Sequence, residues 1–200
     1  FQADPSPVLA LLELLKDDPE LYVRRSVANN LNDIGKDHPE LLTRVAKAWL
    51  KGASAERAWI VGHALRSATK RGDSGALQAL GFGQKARVAV GGVQIAPSTA
   101  MIGGGVKIAF EITNTQTTAQ SLLLDLAVHY VKANGQAKPK VFKLKTLELA
   151  PGQTMPIAKT LSLAQMTTRT HYPGRHRVDV VINGQPQALG VFELTARPLR

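Results

Sequence analysis

The spacing of apolar residues changes once along this chain, near residue 84, and this change constrains the fold more than any other feature. Before it, apolar residues recur at steps of three and four, as they do in amphipathic helices. After it, apolar and polar residues alternate in short runs between turn residues, as they do in half-buried strands. We therefore predict helices in residues 1–83 and strands in residues 86–200.

The first segment predicts an α-solenoid of HEAT-like repeats. Proline and glycine residues punctuate its apolar pattern and predict helices at residues 7–16, 21–36, 39–51, 56–71 and 75–80. An offset of 34 residues aligns Val27 with Val61 and Leu31 with Leu65. A helix pair that repeats at this spacing is typical of HEAT or armadillo solenoids. Because such arrays need three or more repeats, we expect further repeats upstream.

The second segment predicts an immunoglobulin-like antiparallel β-sandwich. Seven strand-like runs cover residues 87–96, 105–115, 121–135, 138–149, 154–166, 175–184 and 188–196. Two Asn-Gly pairs, at 134–135 and 183–184, predict two-residue type I′ hairpin turns. This number and rhythm of short strands match an immunoglobulin-like or fibronectin-like sandwich. The chain has no cysteine, which argues against an antibody-type domain and excludes thiolate metal sites.

Charge is distributed unevenly between the two segments. Residues 1–85 carry 12 Lys and Arg against 10 Asp and Glu, whereas residues 86–200 carry 13 against 5. A basic domain favours a polyanionic partner, either nucleic acid or an anionic surface. No apolar run approaches the roughly 20 residues that a membrane-spanning helix needs.

One face of the second predicted helix carries an unusual polar stripe. Four-residue steps bring Arg25, Asn29 and Asp33 into line, with further polar residues at positions 24, 30 and 32. Asparagine side chains compete for backbone hydrogen bonds and weaken a helix, so their number here indicates a function. The repeat places Trp59 and His63 in the same register as Arg25 and Asn29. We predict that this face binds nucleic acid through Arg25, Asn29, Trp59, His63, Arg66 and Lys70.

An alternative to nucleic-acid binding remains open for this stripe. The charged residues can form an ordinary solvated helix face, with Trp59 packed in a core.

Asp33 is the candidate catalytic residue, since a carboxylate among phosphate contacts costs binding unless it stabilises positive charge formed during a reaction. An ion pair of Asp33 with Lys36 or Arg25 is the competing interpretation.

A second basic cluster occupies one loop and strand entry of the sandwich, residues 167–177. Its cationic members, Arg169, Arg175 and Arg177, predict contacts with a DNA backbone or minor groove, together with the nearby rings of His171, Tyr172 and His176. A turn with solvated charges is the alternative. Lysines also alternate along the strand at residues 138–145, a pattern that protects sheet edges. The histidines do not cluster at metal-ligand spacing, and we expect neither metal nor cofactor.

Two motifs resemble a known family. The stretches "DDPELYVRRSVANNLNDIGKDHPELL" and "AWIVGHALRSATKRGDSGALQALGF", within residues 17–82, closely resemble the C-terminal repeats of the AlkC branch of the AlkC/AlkD DNA alkylation repair glycosylases. Some members of that branch carry an immunoglobulin-like domain after the solenoid, and residues 86–200 fit that position.

The resemblance implies a monofunctional DNA glycosylase of base excision repair. Such an enzyme hydrolyses the N-glycosidic bond of cationic alkylated bases, such as N3-methyladenine and N3-methylcytosine, without flipping the base. It implies that Asp33 is the acidic residue near the lesion, that Arg24, Arg25, Asn29 and Asn30 hold the backbone, and that no metal or cofactor takes part.

The partner implied is double-stranded alkylated DNA, with no membrane partner, and we expect a monomer in the bacterial cytoplasm, associated with the nucleoid. We also expect this chain to be the C-terminal part of a larger enzyme and inactive alone. The competing hypothesis is a non-catalytic scaffold whose solenoid and sandwich bind nucleic acid or protein.

Overall fold

The computed structural model describes residues 2–167 and 170–196 and divides the chain into two compact units, Phe1–Gln84 and Lys85–Arg200. The first unit is helical and the second consists of strands, and each has its own hydrophobic core. No helix among the described residues is both long and apolar enough to cross a membrane.

The helices of the first unit are α1 (Ser6–Leu15), α2 (Leu21–Asp37), α3 (Pro39–Leu50), α4 (Ala55–Ala64), α5 (Arg66–Lys70) and α6 (Ser74–Ala79). Several begin where the sequence supplies a cap or a proline. Proline occupies the first turn of α1 and α3, where its missing N–H costs nothing. Ser54 and Asp73 cap α4 and α6, because their side chains accept hydrogen bonds from the backbone N–H groups of Arg57 and Ala76.

Helix α2 is the centre of this unit and packs against α1, α3 and α4. Val27 and Leu31 on α2 are fully buried, as are Val61 and Leu65, which stand 34 positions further along the chain. Burial of such side chains stabilises the fold by about 1.5–3 kcal/mol each. The apolar side of α2 therefore sets its orientation and leaves the opposite side free for polar residues.

The predicted single helix at residues 56–71 is interrupted in the structure. Leu65 lies between α4 and α5 as a turn residue, with φ −77° and ψ −4°. The guanidinium of Arg66 donates a hydrogen bond of 2.6 Å to the carbonyl of His63. In a continuous helix, this carbonyl would accept a hydrogen bond from the backbone N–H of Ser67. A side-chain contact that periodicity does not reveal thus marks the break.

The second unit contains two packed sheets. Their strands are β1 (Val88–Ala96), β2 (Thr99–Met101), β3 (Gly105–Asn114), β4 (Gln120–Val131), β5 (Ala137–Leu149), β6 (Thr154–Ser162), β7 (Gly174–Ile182) and β8 (Gln185–Thr195). One sheet has the strand order β1-β3-β6 and the other the order β2-β8-β7-β4-β5. Core-facing residues of both sheets form one apolar cluster, in which Phe110 and Phe192 are among the largest fully buried side chains.

The sandwich differs from the predicted seven antiparallel strands in one element. The described residues form eight strands, and the additional strand β2 pairs with β8 in parallel. Three residues are too few for a readable alternation of apolar and polar side chains, so sequence periodicity does not detect β2. The lysine-rich strand β5 lies at a sheet edge, in agreement with the edge-protecting pattern.

The two Asn-Gly pairs form different turns. Asn183 and Gly184 both have positive φ, at 47° and 78°, and link the paired residues Ile182 and Gln185 as predicted. At the other pair only Gly135 has positive φ, 75°, and its N–H bonds to the carbonyl of Lys132. The predicted type I′ turn is therefore wrong there, because a longer loop with glycine in the left-handed position replaces the two-residue connection.

Candidate nucleic-acid interface

Side chains from α2, α4 and α5 form one surface, which we call the polar face; it comprises Arg25, Asn29, Asp33, Trp59, His63 and Arg66. Its central contact joins two helices: Arg66 Nη2 donates a hydrogen bond of 3.0 Å to Asn29 Oδ1. Arg66 Nη1 also donates to the backbone carbonyl of His63. Arg66 is therefore held by two acceptors, so a ligand would meet a positioned cation.

An aromatic pair lies on the same face. The rings of Trp59 and His63 stack with centroids 5.0 Å apart and planes inclined by 8°. Trp59 remains 41% exposed, so the alternative that packs this side chain in a core is wrong. Partial burial, and then the charges of Arg66 and Arg25, lower the pKa of His63. The imidazole is therefore neutral at pH 7, because burial and the two neighbouring cations all disfavour its protonated form.

Asp33 stands at the end of this face and is exposed. Its Oδ1 forms an ion pair of 2.7 Å with Lys36, one turn later on the same helix. The amide of Asn32 also approaches Asp33 Oδ1, at 3.5 Å. The hydrogen bond with Lys36 is the main reason that the pKa of Asp33 is lowered. Of the two partners considered for Asp33, the structure selects Lys36, and the carboxylate is ionised at neutral pH.

Two predicted members of this region, Arg24 and Asn30, have contacts of their own. Arg24 is half-buried, and its guanidinium donates to the carbonyls of Pro19 and Asp18 in the turn before α2. Asn30 is exposed, but its amide donates to the carbonyl of Ser26 one turn earlier. Lys70 and Arg25 are exposed and make no ion pair with a described residue.

The structure corrects the predicted position of Asn32. It was expected to flank the polar stripe, yet it is only 3% exposed, because this side of α2 is covered by neighbouring helices. Its Oδ1 is buried without a hydrogen-bond partner among the described residues. Its neighbours in helical register, Ala28 and Gly35, are buried as well. Periodicity missed this because α2 is packed on more than one side.

The arginines of the basic loop of the sandwich differ in their contacts. Arg175 is exposed on β7, and Arg177 lies two residues further along the same strand face. Arg177 Nη2 bonds to Asp179 Oδ2 at 3.1 Å and lies 3.0 Å from His129 Nε2. Arg169 lies outside the described residues. The two arginines therefore offer exposed charge, but that of Arg177 is shared with a buried carboxylate.

The histidines of this loop are not surface contacts. His171 and His176 are 3% and 0% exposed, respectively, so the expectation that their rings join the arginines on DNA is wrong. His176 Nδ1 accepts from the backbone N–H of Val131, and its Nε2 donates to the carbonyl of Tyr172. This pattern requires the neutral ring with its hydrogen on Nε2, in agreement with a pKa lowered chiefly by burial. His176 is a structural residue of the sandwich.

The structure also reveals groups that the sequence pattern did not single out. Asp125 and Asp179 are buried at 6% and 3% exposure, although neither lies in a recognisable motif. Lys159 joins the lysines of β5 around an open groove between the sheets. Within the described residues, no cluster of three or more His, Asp or Glu side chains is arranged to hold a metal ion.

Comparisons with known proteins show the following similarities. A family model described as "Uncharacterised protein YhaZ, C-terminal Ig-like domain" matches residues 89–196. The uncharacterised protein YhaZ of Bacillus subtilis (strain 168) is 39% identical over 185 residues, which cover 92% of this chain and 51% of that protein. A solved structure of the alkylpurine DNA glycosylase AlkC of Pseudomonas fluorescens, bound to DNA containing an abasic site analog, is 43% identical. It matches with a TM-score of 0.92 over 98% of this chain and 54% of that one. The chain spans about half the length of both relatives.

Proposed function

The chain belongs to the family of the YhaZ C-terminal Ig-like domain, and from that premise we propose that it forms part of a DNA repair glycosylase acting on cationic alkylated bases. The observation that carries the proposal is the polar face, where the ionised carboxylate of Asp33 stands beside positioned cations. The likeness to AlkC, a glycosylase solved on DNA, supports this interpretation. Because the relatives are about twice as long, the activity is proposed for a protein of their length.

In this proposal the helices act as HEAT-like repeats that grip double-stranded DNA. Arg25 and Arg66 contact phosphates, and Asn29 positions Arg66 for that contact. Trp59 is 41% exposed, which suits stacking against a sugar or base. Arg24, Asn30 and Lys70 border this surface, and Arg175 and Arg177 supply exposed charge on the sandwich.

The chemistry proposed needs little beyond electrostatics. A base alkylated at N3, as in N3-methyladenine or N3-methylcytosine, is positively charged and departs as a neutral molecule when its bond to C1′ breaks. The positive charge then passes to the sugar, where the carboxylate of Asp33 stabilises it. Water adds to C1′ and loses its proton, which leaves an abasic site. Because no pocket has to receive the base, base flipping is unnecessary.

Asp33 must exchange its partner for this role. Its ion pair with Lys36 is exposed on both sides, with side chains 65% and 57% accessible. Exposed ion pairs contribute about 0–1 kcal/mol. Rotating Asp33 away from Lys36 towards a developing sugar cation therefore costs little. Lys36 is then free to contact a phosphate.

The first test measures binding and chemistry separately. Binding of methylated duplex DNA is measured with the chain itself. Release of free N3-methyladenine is measured with a chimera in which this chain replaces the matching part of AlkC. Each protein is prepared as wild type, as Asp33→Asn and as Asp37→Asn, a control that removes the same charge from an exposed position of the same helix.

We expect Asp33→Asn to keep DNA binding and to lose release by about a hundredfold or more, as removal of one electrostatic catalytic group does. Asp37→Asn should retain both properties. If all chimeras bind DNA and none releases the base, the chain is a nucleic-acid-binding scaffold. If the chain does not bind DNA, the proposal fails.

A further inference from the structure

An open groove lies where the free edges of the two sheets of the sandwich approach each other. Strand β5 ends the five-stranded sheet and β6 ends the three-stranded sheet. The groove between them has a volume of about 300 Å³. We call it the seam groove; it is lined by Lys143, Leu144, Lys145, Pro156, Ile157, Ala158 and Lys159.

Three lysines line this small groove. Lys143 and Lys145 are exposed and Lys159 is half-buried. None of the three forms an ion pair with a described residue. Like charges around one groove repel each other, and an anionic ligand relieves that repulsion.

Two of these lysines occupy positions that normally carry apolar side chains. Lys159 lies between the buried residues Ile157 and Leu161 on the core-facing side of β6. Lys145 pairs with the buried Leu124 of β4. Both lysines therefore lie on the core-facing sides of edge strands and not on the outer faces of the sheets.

The other lining residues are apolar, namely Leu144, Pro156, Ile157 and Ala158. A groove lined by lysines and apolar side chains complements a sugar–phosphate strand, whose deoxyribose rings are largely apolar and whose phosphates are anionic. Base edges, by contrast, would find few hydrogen-bonding partners here.

We propose that the seam groove binds the sugar–phosphate backbone of a DNA strand, and that Lys143, Lys145 and Lys159 contact its phosphates. This inference rests on the proposed function, which makes DNA the ligand. It assigns to the sandwich a DNA contact distinct from Arg175 and Arg177. The contact is independent of base sequence, because only backbone groups meet the groove.

Edge protection is the competing explanation of these lysines. Inward-pointing charges at open sheet edges prevent pairing with another chain. In that case, removing the charges promotes self-association and leaves phosphate contacts unchanged. The two explanations therefore predict different measurements on the same variant.

The test compares two triple variants of the whole chain. The groove variant is Lys143→Gln, Lys145→Gln and Lys159→Gln. The control is Lys85→Gln, Lys107→Gln and Lys138→Gln, which removes the same charge from exposed positions outside the groove. Affinity for undamaged duplex DNA is measured between about 50 and 200 mM salt, and self-association by sedimentation.

We expect the groove variant to lower the slope of log affinity against log salt by about 2.7, since each phosphate contact contributes about 0.9. Its affinity at low salt should fall at least tenfold, and the control should keep the wild-type slope. Equal slopes in both variants overturn the inference, and self-association of the groove variant then establishes edge protection.

The test of the seam groove can fail while the proposed function holds. If wild type binds DNA and the AlkC chimera releases base while the groove variant keeps its slope, only the seam groove is wrong. If wild type shows no salt-dependent DNA binding, both fail together.

Discussion

Arg66 donates a hydrogen bond of 3.0 Å to Asn29, a residue 37 positions earlier in the chain. This bond connects α5 to α2 across the surface of the helical unit. A second bond, to the carbonyl of His63, leaves the guanidinium little freedom. An arginine fixed in this way loses less conformational entropy on meeting a phosphate than a free one. The polar face is thus organised before any ligand arrives.

A double-mutant cycle on Asn29→Ala and Arg66→Ala measures this contact. We expect a coupling free energy of about 1 kcal/mol in the stability of the helical unit, as for a hydrogen bond with one charged partner that is partly solvated. Urea unfolding followed by tryptophan fluorescence is suitable, because Trp49 and Trp59 both lie in this unit. The cycle of Asn30→Ala with Arg66→Ala should show no coupling, since Asn30 bonds to Ser26 instead. Equal coupling in both cycles would argue against a specific contact.

DNA affinity should increase as pH falls, through His63. Its pKa is lowered by burial and by Arg66 and Arg25, so the free protein holds the ring neutral. A phosphate bound beside these arginines offsets their charge and raises the pKa, so binding takes up a proton. Affinity at constant ionic strength, measured from about pH 7.5 to 5.5 across the ordinary histidine range, should rise more steeply for wild type than for His63→Gln.

The control for this titration is His38→Gln. His38 lies in the turn between α2 and α3, where its Nε2 is 2.7 Å from the carbonyl of Gln2. Its replacement should leave the pH dependence of DNA affinity intact. A dependence that persists in His63→Gln and disappears in His38→Gln would refute the assignment.

Two glycines of the helical unit should respond to alanine in opposite directions. A Cβ at Gly35 would lie 3.0 Å from both Cβ and Cγ of Leu42 and closer still to one of its methyl groups. Gly35→Ala therefore overpacks the contact of α2 with α3, and we expect a loss of about 1–3 kcal/mol. A Cβ at Gly62 meets nothing within 4 Å. Gly62→Ala should stabilise by up to about 1 kcal/mol through helix propensity. Urea unfolding of both variants checks the signs, and a stabilising Gly35→Ala would show that α3 shifts easily.

The sandwich should lose stability in mild acid because of His176. Burial lowers its pKa in the folded chain, whereas the unfolded chain keeps the ordinary value of about 6.5. As pH falls below that value the unfolded state takes up a proton first, so stability is complete above it and declines below it. One such group contributes at most about 1.4 kcal/mol per pH unit.

The matched variant is His176→Gln, whose amide can accept from Val131 and donate to Tyr172 without titrating. The urea midpoint of unfolding is followed through NMR resonances of the sandwich from about pH 7.5 to 5. It should decline less with falling pH in this variant than in wild type. His38→Gln, in the other unit, should not change the decline. Identical pH profiles for wild type and His176→Gln would assign the decline to other groups.

Local pattern was sufficient to predict most elements and part of the candidate site. The start of α2 at Leu21, the start of α3 at Pro39 and the turn at Asn183 follow from apolar period, proline position and turn chemistry. These features depend on neighbours within a few residues. The shared face of Arg25 and Asn29 was likewise predictable, because helical geometry alone places residues four apart on one side.

Other features depended on contacts between distant residues. The alternation in the last segment did not distinguish exposed Arg175 from buried His176, since the burial of a strand face is decided by the opposing sheet. The break at Leu65 coincides with the contact between Arg66 and the carbonyl of His63. The burial of Asn32 depends on helices that cover α2 from a second side.

The sequence by itself therefore determined the division into helices and strands, the polar stripe of α2 and the excess of positive charge in the second segment. Hydrogen-bond geometry and side-chain period act locally, so they can be read along the chain. Only the tertiary structure decided that Arg66 meets Asn29, that Trp59 stacks on His63 in solvent and that Lys159 joins the lysines of β5. Those contacts arise from packing between residues far apart in the sequence, which no local pattern encodes.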